Sequence, residues 1–287
     1  MPELPEVEVV KKALENKIKD LIIKRVNISN NKLRYIIDNE QFNKIRNQKI
    51  IFIQRRAKYI LIHLNKNTTI LAHLGMTGKF VITDNNKKYK TSFYYSLKKN
   101  DTKHDHITFF FNKKIKLIYN DVRKFGFIKI FPSKDVFSCT HLKTLGPEPL
   151  SNDFNLSYFE KYILNKKTNI KELLMNQKFV AGLGNIYCNE VLHLCKIIPT
   201  RSVKKINQAE IKKIIKFIKK ILKQAILLGG SSIKNFSDAE GRDGNFQQKF
   251  NVYGRDKASC RRLKCLGIIK KVYTCNRSSF FCLKCQK

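Results

Sequence analysis

Met1-Pro2-Glu3-Leu4-Pro5-Glu6-Val7-Glu8 opens the chain, and the reading of everything after it depends on these eight residues. Proline at position 2 leaves a small residue behind the initiator, so Met1 is expected to be trimmed. The mature chain then begins with a secondary amine. An α-amino group titrates near about 7.7–8.0, so a useful fraction is unprotonated at neutral pH. Such an amine can attack an electrophilic carbon and form an imine-type adduct. Glu3 stands beside it as a proton donor or acceptor, and Glu6 follows one helical turn later. The same residues also read as a plain helix start, with proline in the first turn and acids at the positive end. The remainder of the sequence decides between the two.

The chain has 287 residues, enough for two compact domains, and is 43% hydrophobic. Its 58 Lys+Arg against 22 Asp+Glu give a formal charge of +36. Part of that excess reads as compositional drift, since Lys, Ile and Asn recur even in loop-like runs such as Asn85-Asn86-Lys87-Lys88. A field of this sign still attracts and steers a polyanion, with nucleic acid foremost. A membrane-surface role is disfavoured: there is no lipidation signal, and no apolar run reaches the roughly 18 residues of a spanning helix. The acidic start does not read as a signal peptide. These features predict a soluble, cytoplasmic protein.

Apolar positions Val7, Val10, Leu14 and Ile18 predict a helix over residues 5–18. The texture then turns to short β-branched and aromatic runs at Leu21–Ile28, Ile50–Gln54, Tyr59–Leu64, Thr69–His73, Lys79–Thr83, Ile107–Phe111, Ile115–Tyr119 and Phe127–Phe131. Strands of this length and spacing predict a two-sheet sandwich or barrel. Residues 132–144 carry no clear signal. Leu145-Gly146-Pro147-Glu148-Pro149-Leu150 marks a boundary, because two prolines forbid regular structure. Helices are predicted over about 155–165, 168–177, 186–194 and 208–227, the last opened by Asn207 with Glu210 three residues on. Gly229-Gly230 ends it. Residues 231–248, polar and glycine-bearing, read as a loop.

Of eight cysteines, Cys260, Cys265, Cys275, Cys282 and Cys285 crowd the last 28 residues. Without a signal peptide this clustering reads as metal binding, not disulfides. Cys260-x4-Cys265 and, sixteen residues on, Cys282-x2-Cys285 have the pattern of a structural zinc site, with Cys275 a fifth candidate. Ala181-Gly182-Leu183-Gly184-Asn185 breaks two helices and frees backbone N–H groups at a helix start, where phosphate binds readily. Arg55-Arg56-Ala57-Lys58 falls in a hairpin turn, where its charges are expected to stay in solvent.

Taken together, these pieces resemble the formamidopyrimidine-DNA glycosylase family of bacterial enzymes that excise oxidised purines. The resemblance starts at Pro2-Glu3-Leu4-Pro5-Glu6. It continues through Arg56-Ala57-Lys58-Tyr59, His73-Leu74-Gly75-Met76-Thr77-Gly78, Lys103-His104-Asp105-His106 and Asn120-Asp121-Val122-Arg123-Lys124-Phe125-Gly126. Residues 145–150 and 181–187, Phe246-Gln247-Gln248, Val252-Tyr253-Gly254-Arg255 and the zinc cysteines complete it, in order, over essentially the whole chain.

The resemblance implies an α+β fold: an N-terminal catalytic β-sandwich (1–133), a linker (134–150), a helical helix-two-turn-helix domain (151–230), a lesion-capping loop (231–248) and a C-terminal zinc-finger hairpin (249–287). It implies a bifunctional glycosylase and lyase of base excision repair, with Pro2 as nucleophile and Glu3 as the acid that protonates the sugar ring oxygen. Lys58 would serve the elimination and Arg277 would hold the phosphate. His73, His104, Lys166 and Asn185 would contact DNA, while Met76, Arg123 and Phe125 would fill the void left by an extruded base. One structural Zn²⁺ would be held by Cys260, Cys265, Cys282 and Cys285. The expected partner is double-stranded DNA with oxidised purines or abasic sites, met by a monomer in the bacterial cytoplasm and, through DNA, at the nucleoid. The sequence departs from the family pattern in its four-residue first cysteine spacing, in Val122 for proline, in Lys124 for arginine and in Cys188 for an alanine-like residue. Two other readings stand beside this one: the sister enzyme acting on oxidised pyrimidines, and a non-catalytic zinc protein that binds DNA by charge.

Overall fold

The computed structural model describes residues 1–85, 87–91, 101–230, 249–274 and 276–287. The chain forms two compact units, Met1–Lys143 with Leu228–Asn245 and Thr144–Leu227 with Phe246–Lys287.

The first unit opens with helix α1 (Leu4–Ile18). Pro5 lies in its first turn, where the missing N–H costs nothing. The Glu6 carboxylate reaches back to accept the Glu3 N–H at 2.9 Å, one half of a capping box. Val7, Val10, Leu14 and Ile18 are all buried, as their spacing requires. Two antiparallel sheets follow. One has five strands in the order β1 (Ile23–Ile28), β7 (Asp105–Phe111), β8 (Ile115–Asn120), β5 (Lys79–Asp84) and β6 (Lys87–Lys90). The other has four, β2 (Ile50–Arg56), β3 (Tyr59–Leu64), β4 (Thr68–His73) and β9 (Phe127–Pro132). Inward positions of both sheets, among them Ile53, Ile60, Ile62, Phe80, Phe109 and Leu117, share one apolar core with α1.

Three local differences from the sequence expectation have physical causes. Strand β2 runs two residues past Gln54 because Arg55 finds a carboxylate partner in Glu8. Lys87 and Lys88, read as loop, lie in the edge strand β6, where lysines project into solvent without cost. The short helix α2 (Asn39–Lys44) has no apolar stripe to announce it; its one strong signal is Asp38, whose Oδ1 accepts from Glu40 N at 2.9 Å. Residues 133–144 hold no helix or strand, yet Val136 and Leu142 are buried.

Among its described residues the second unit carries four α-helices, α3 (Leu156–Ile163), α4 (Ile170–Met175), α5 (Asn185–Cys195) and α6 (Gln208–Leu227), and the hairpin β10 (Ile269–Thr274)–β11 (Arg277–Cys282). Asparagine side chains cap three of the four. Asn155 accepts from Tyr158 N, Asn169 from Glu172 N and Asn207 from Glu210 N, while Glu210 returns a bond to Asn207 N. On α6, Ile211, Ile214, Ile218, Ile221 and Leu222 are buried and form one face, with Ile215 half-buried at its edge. The expected β-sandwich, helical region and cysteine-bearing hairpin are therefore all present. The capping loop expected at 231–248 lies outside the described residues, as does Cys275.

Candidate catalytic and nucleic-acid-binding site

Pro2 and Glu3 are both buried, and Glu3 is the extended N-cap of α1. The backbone ahead of α1 is thus fixed by the helix it starts, and a mature N-terminal amine would inherit that position. Lys58 sits in the two-residue turn of the β2–β3 hairpin, where Arg56 pairs with Tyr59. Ala57 takes φ +52° there and is fully buried. Helix α1 anchors the turn: Arg55 Nε donates to Glu8 Oε2 at 2.7 Å, and Arg55 Nη1 donates to the Ala57 carbonyl at 3.0 Å. Contrary to the solvent-exposed turn expected from sequence, Lys58 is only 6% exposed. A cation held this far from water is costly unless its surroundings are built for it.

His73 ends β4 within the field of Lys58. Burial first, then the charges of Lys58 and Arg34 and the His141 ring, push it down to about 4. Its Nδ1 accepts the Gly75 N–H at 3.1 Å, so the neutral ring carries its proton on Nε2. A neutral His73 can still donate to a phosphate oxygen through that N–H.

Two loops of the first unit carry the three candidate void-filling residues. Met76 lies on the β4–β5 loop; Arg123 and Phe125 lie between β8 and β9. Asp121, fully buried, ties them together. Its Oδ1 accepts from Thr77 Oγ1 at 2.5 Å, and its Oδ2 accepts from Gly126 N at 2.8 Å. Arg123 N donates to Thr77 Oγ1 at 3.0 Å. Gly75, at φ +59°, lets the loops touch; a Cβ there would meet Gly126 N at 2.4 Å. Phe125 is 45% exposed, so it is not the core residue that a lone phenylalanine usually is. The Arg123 guanidinium lies 4.5 Å from its ring centroid. His104 ends a short 3₁₀ turn, and its carbonyl accepts Asp121 N at 3.1 Å.

The remaining candidates belong to the second unit. Lys166 is exposed, its Nζ 5.2 Å from the Tyr162 ring centroid. Asn185 is the first residue of α5, behind Gly182 at φ +93°. Gln177 holds that glycine turn, accepting Gly182 N at 2.8 Å and donating to the Leu183 carbonyl at 2.7 Å. Arg277 starts β11 and is exposed. The next residue is gripped from the helices: Asn185 Nδ2 and Lys171 Nζ donate to the Ser278 carbonyl at 3.0 and 2.9 Å.

Cys260, Cys265, Cys282 and Cys285 converge, all four sulfurs within 4.8 Å of one another. Cys260 and Cys285 are 3.9 Å apart, Cys265 and Cys282 3.7 Å. A tetrahedron with metal–sulfur bonds of about 2.3 Å has edges of about 3.8 Å, so these thiols fit a divalent metal and are too far apart for disulfides. Gly267 leaves the room: a Cβ there would meet Cys282 Sγ at 2.5 Å. Burial pushes the Cys260 thiol up to about 12, a cost that a cation at the centre would reverse. Burial also raises Cys285, against a hydrogen bond from Arg262.

Asp121 and Glu190 are structural anchors to which the sequence reading gave no role. Glu190, on α5, accepts four bonds, from Asn251 N and Nδ2, Val252 N and Tyr253 N, all at 2.8–3.0 Å. The available signal was scarcity. In a chain with 22 acids against 58 bases, Glu190 beside the apolar Val191 and Leu192 is expected to be buried for a purpose, whereas Asp121, between Asn120 and Val122, carries no such signal.

Residues 1–128 match the formamidopyrimidine-DNA glycosylase N-terminal domain, and residues 145–237 the H2TH domain of the same enzymes. A formamidopyrimidine-DNA glycosylase of Rickettsia bellii is 41% identical over the full length of both chains. One from a Ruegeria species is 36% identical, again over both full lengths. Among solved structures, the Lactococcus lactis enzyme bound to abasic-site DNA superposes with a TM-score of 0.85 at 32% identity, covering 99% of each chain. A mutant of that enzyme with Fapy-dG containing DNA gives 0.86 at 32% identity, covering 100% of each. Two matching domains and full-length relatives at this identity place the chain in the formamidopyrimidine-DNA glycosylase family.

Proposed function

We propose that this protein is a bifunctional DNA glycosylase and abasic-site lyase of base excision repair. It would act on duplex DNA that contains oxidised purines or abasic sites, from within the cytoplasm. The observation that carries the reading is the buried Pro2-Glu3 start on a family member with Lys58 and His73 in the same unit. The Pro2 amine, freed of Met1, donates its lone pair to the sugar C1′. The bond to the base breaks, and the base leaves with the electron pair and takes a proton. Glu3 protonates the ring oxygen, opening the sugar to a Pro2-bound iminium. That cation acidifies the C2′ proton. Its loss expels the 3′ phosphate, and loss of the C4′ proton then expels the 5′ phosphate. Lys58 serves the eliminations, and water finally releases Pro2.

The target base must leave the stack, and Met76, Arg123 and Phe125 are suited to fill the gap. His73, His104, Lys166, Asn185 and Arg277 would contact the backbone. Cys260, Cys265, Cys282 and Cys285 would hold one Zn²⁺ per chain. Four thiolates leave no open position for a water, so the metal fixes the hairpin that presents Arg277. Among the described residues no helix is long and apolar enough to cross a membrane.

An 8-oxoguanine duplex tests the reading. The expected product is a one-nucleotide gap with phosphates on both sides. Tight binding without cleavage would favour the non-catalytic alternative; faster cleavage of oxidised pyrimidines would favour the sister enzyme.

A further inference from the structure

Helix α5 meets the cysteine hairpin through a ladder of polar side chains spaced four residues apart. Asn185 Nδ2 donates to the Ser278 carbonyl at 3.0 Å. Asn189 Oδ1 accepts Phe280 N at 2.8 Å. The third rung is His193, whose Nε2 lies 3.5 Å from Cys260 Sγ. Residues at i, i+4 and i+8 share one helix face, so the three rungs lie along one line. His193 is buried, and its Nδ1 has no hydrogen-bond partner among the described residues. The residue is fixed from outside as well: Arg262 Nη2 donates to the His193 carbonyl at 2.5 Å. Arg262 lies inside the four-residue spacer between Cys260 and Cys265. The longer knuckle therefore supplies the group that holds this rung.

A neutral imidazole carries one proton, on Nδ1 or on Nε2. A metal-bound cysteine is a thiolate, an acceptor only. With the proton on Nδ1, a bare Nε2 lone pair would face a thiolate lone pair, and the Nδ1–H would be buried without an acceptor. With the proton on Nε2, the ring donates to sulfur, and only a weaker lone pair goes unused. Four thiolates around a divalent ion leave a net charge of −2 in a mostly buried site, so N–H donors to sulfur are needed there.

We propose that His193 is an outer-shell positioning residue of the metal centre, its Nε2–H bonded to the Cys260 thiolate and its backbone clamped by Arg262. This rests on the zinc reading above. It makes α5 continuous with the metal: the helix that begins at Asn185 ends on a zinc ligand, so metal loss should loosen the grip on Ser278, next to Arg277.

Two measurements on the full-length protein test it. The first uses wild-type protein loaded with zinc: ¹⁵N–¹H long-range spectra of the histidine rings should show His193 as the Nε2–H tautomer. An Nδ1–H tautomer would overturn the proposal. The second compares His193→Phe, which keeps a buried ring without a donor, with His193→Gln, whose amide can still donate. Zinc affinity by chelator competition should fall about 10–100-fold in the Phe variant and largely recover in the Gln variant. The thiolate-to-metal charge-transfer band of the Co²⁺-substituted protein should shift in the Phe variant alone. Equal affinity and unshifted bands in both variants would overturn the proposal while leaving the zinc site intact. A wild-type chain that takes up neither zinc nor Co²⁺ would overturn the zinc reading, and this inference with it.

Discussion

Thr77 Oγ1 donates to Asp121 Oδ1 at 2.5 Å, which joins the loop bearing Met76 to the loop bearing Arg123 and Phe125. The same carboxylate holds Gly126 N, so three side chains suited to entering a base stack share one buried anchor. Filling a void demands stiffness, because a wedge that yields cannot hold a duplex open. Asp121→Asn is therefore expected to cost about 1.5–3 kcal/mol in urea unfolding, the worth of a hydrogen bond to a buried charge. Excision from duplex DNA should fall more than cleavage of a single-stranded abasic site, which needs no wedge. Wild-type stability and excision in this variant would remove Asp121 from the account.

Glu3→Gln should still bind lesion DNA. Base removal should slow by about 10²–10⁴-fold, the usual contribution of a positioned acid. Cleavage at a preformed abasic site should suffer less, since the base is already gone. Single-turnover rates on both substrates check this, and equal losses would argue against the division of roles given to Glu3.

The metal count should be one zinc per chain. Chelation, or Cys282→Ser, should remove DNA binding while the N-terminal sandwich stays folded, because the thiols all belong to the second unit. Cys275→Ser should keep stoichiometric zinc in elemental analysis. Loss of zinc from that variant would make Cys275 a ligand.

His73 supplies a pH signature. Burial and the nearby Lys58 charge hold the folded imidazole down at about 4, against 6.5 for a free histidine, so the unfolded chain takes up a proton first as pH falls. Stability from this group is therefore intact above pH 6.5 and declines between 6.5 and 4, by about 1.4 kcal/mol per pH unit at most. His73→Gln should flatten that part of the decline when unfolding is followed at pH 7, 6, 5 and 4. An unchanged slope would mean that His73 is already protonated near pH 6.5.

Much of the fold was legible because its signals are local. The α1 stripe is buried where its period places it, and the short β-branched and aromatic runs lie in strands that share its core. Helix α2 and strand β6 were not legible, since a six-residue helix and a lysine-rich edge strand bury too little to leave a pattern. Among candidate site residues, the cysteines were the clearest: thiol spacing alone predicts convergence, and the four sulfurs do converge. The burial of Lys58 was not legible, because it depends on Glu8 and Arg55, 47 residues apart, forming an ion pair. The roles of Asp121 and Glu190 were hidden for the same reason; their partners, the Thr77 hydroxyl and the Val252 N–H among them, are brought near by folding.

Chemistry is expected to start at the Pro2 amine. Borohydride reduction of the enzyme mixed with abasic-site DNA, followed by peptide mapping of the cross-link, tests it most directly. The account predicts one adduct, on Pro2, in protein lacking Met1, and none when an extra residue precedes Pro2. An adduct on Lys58 or another lysine, or undiminished trapping with Met1 retained, would contradict it.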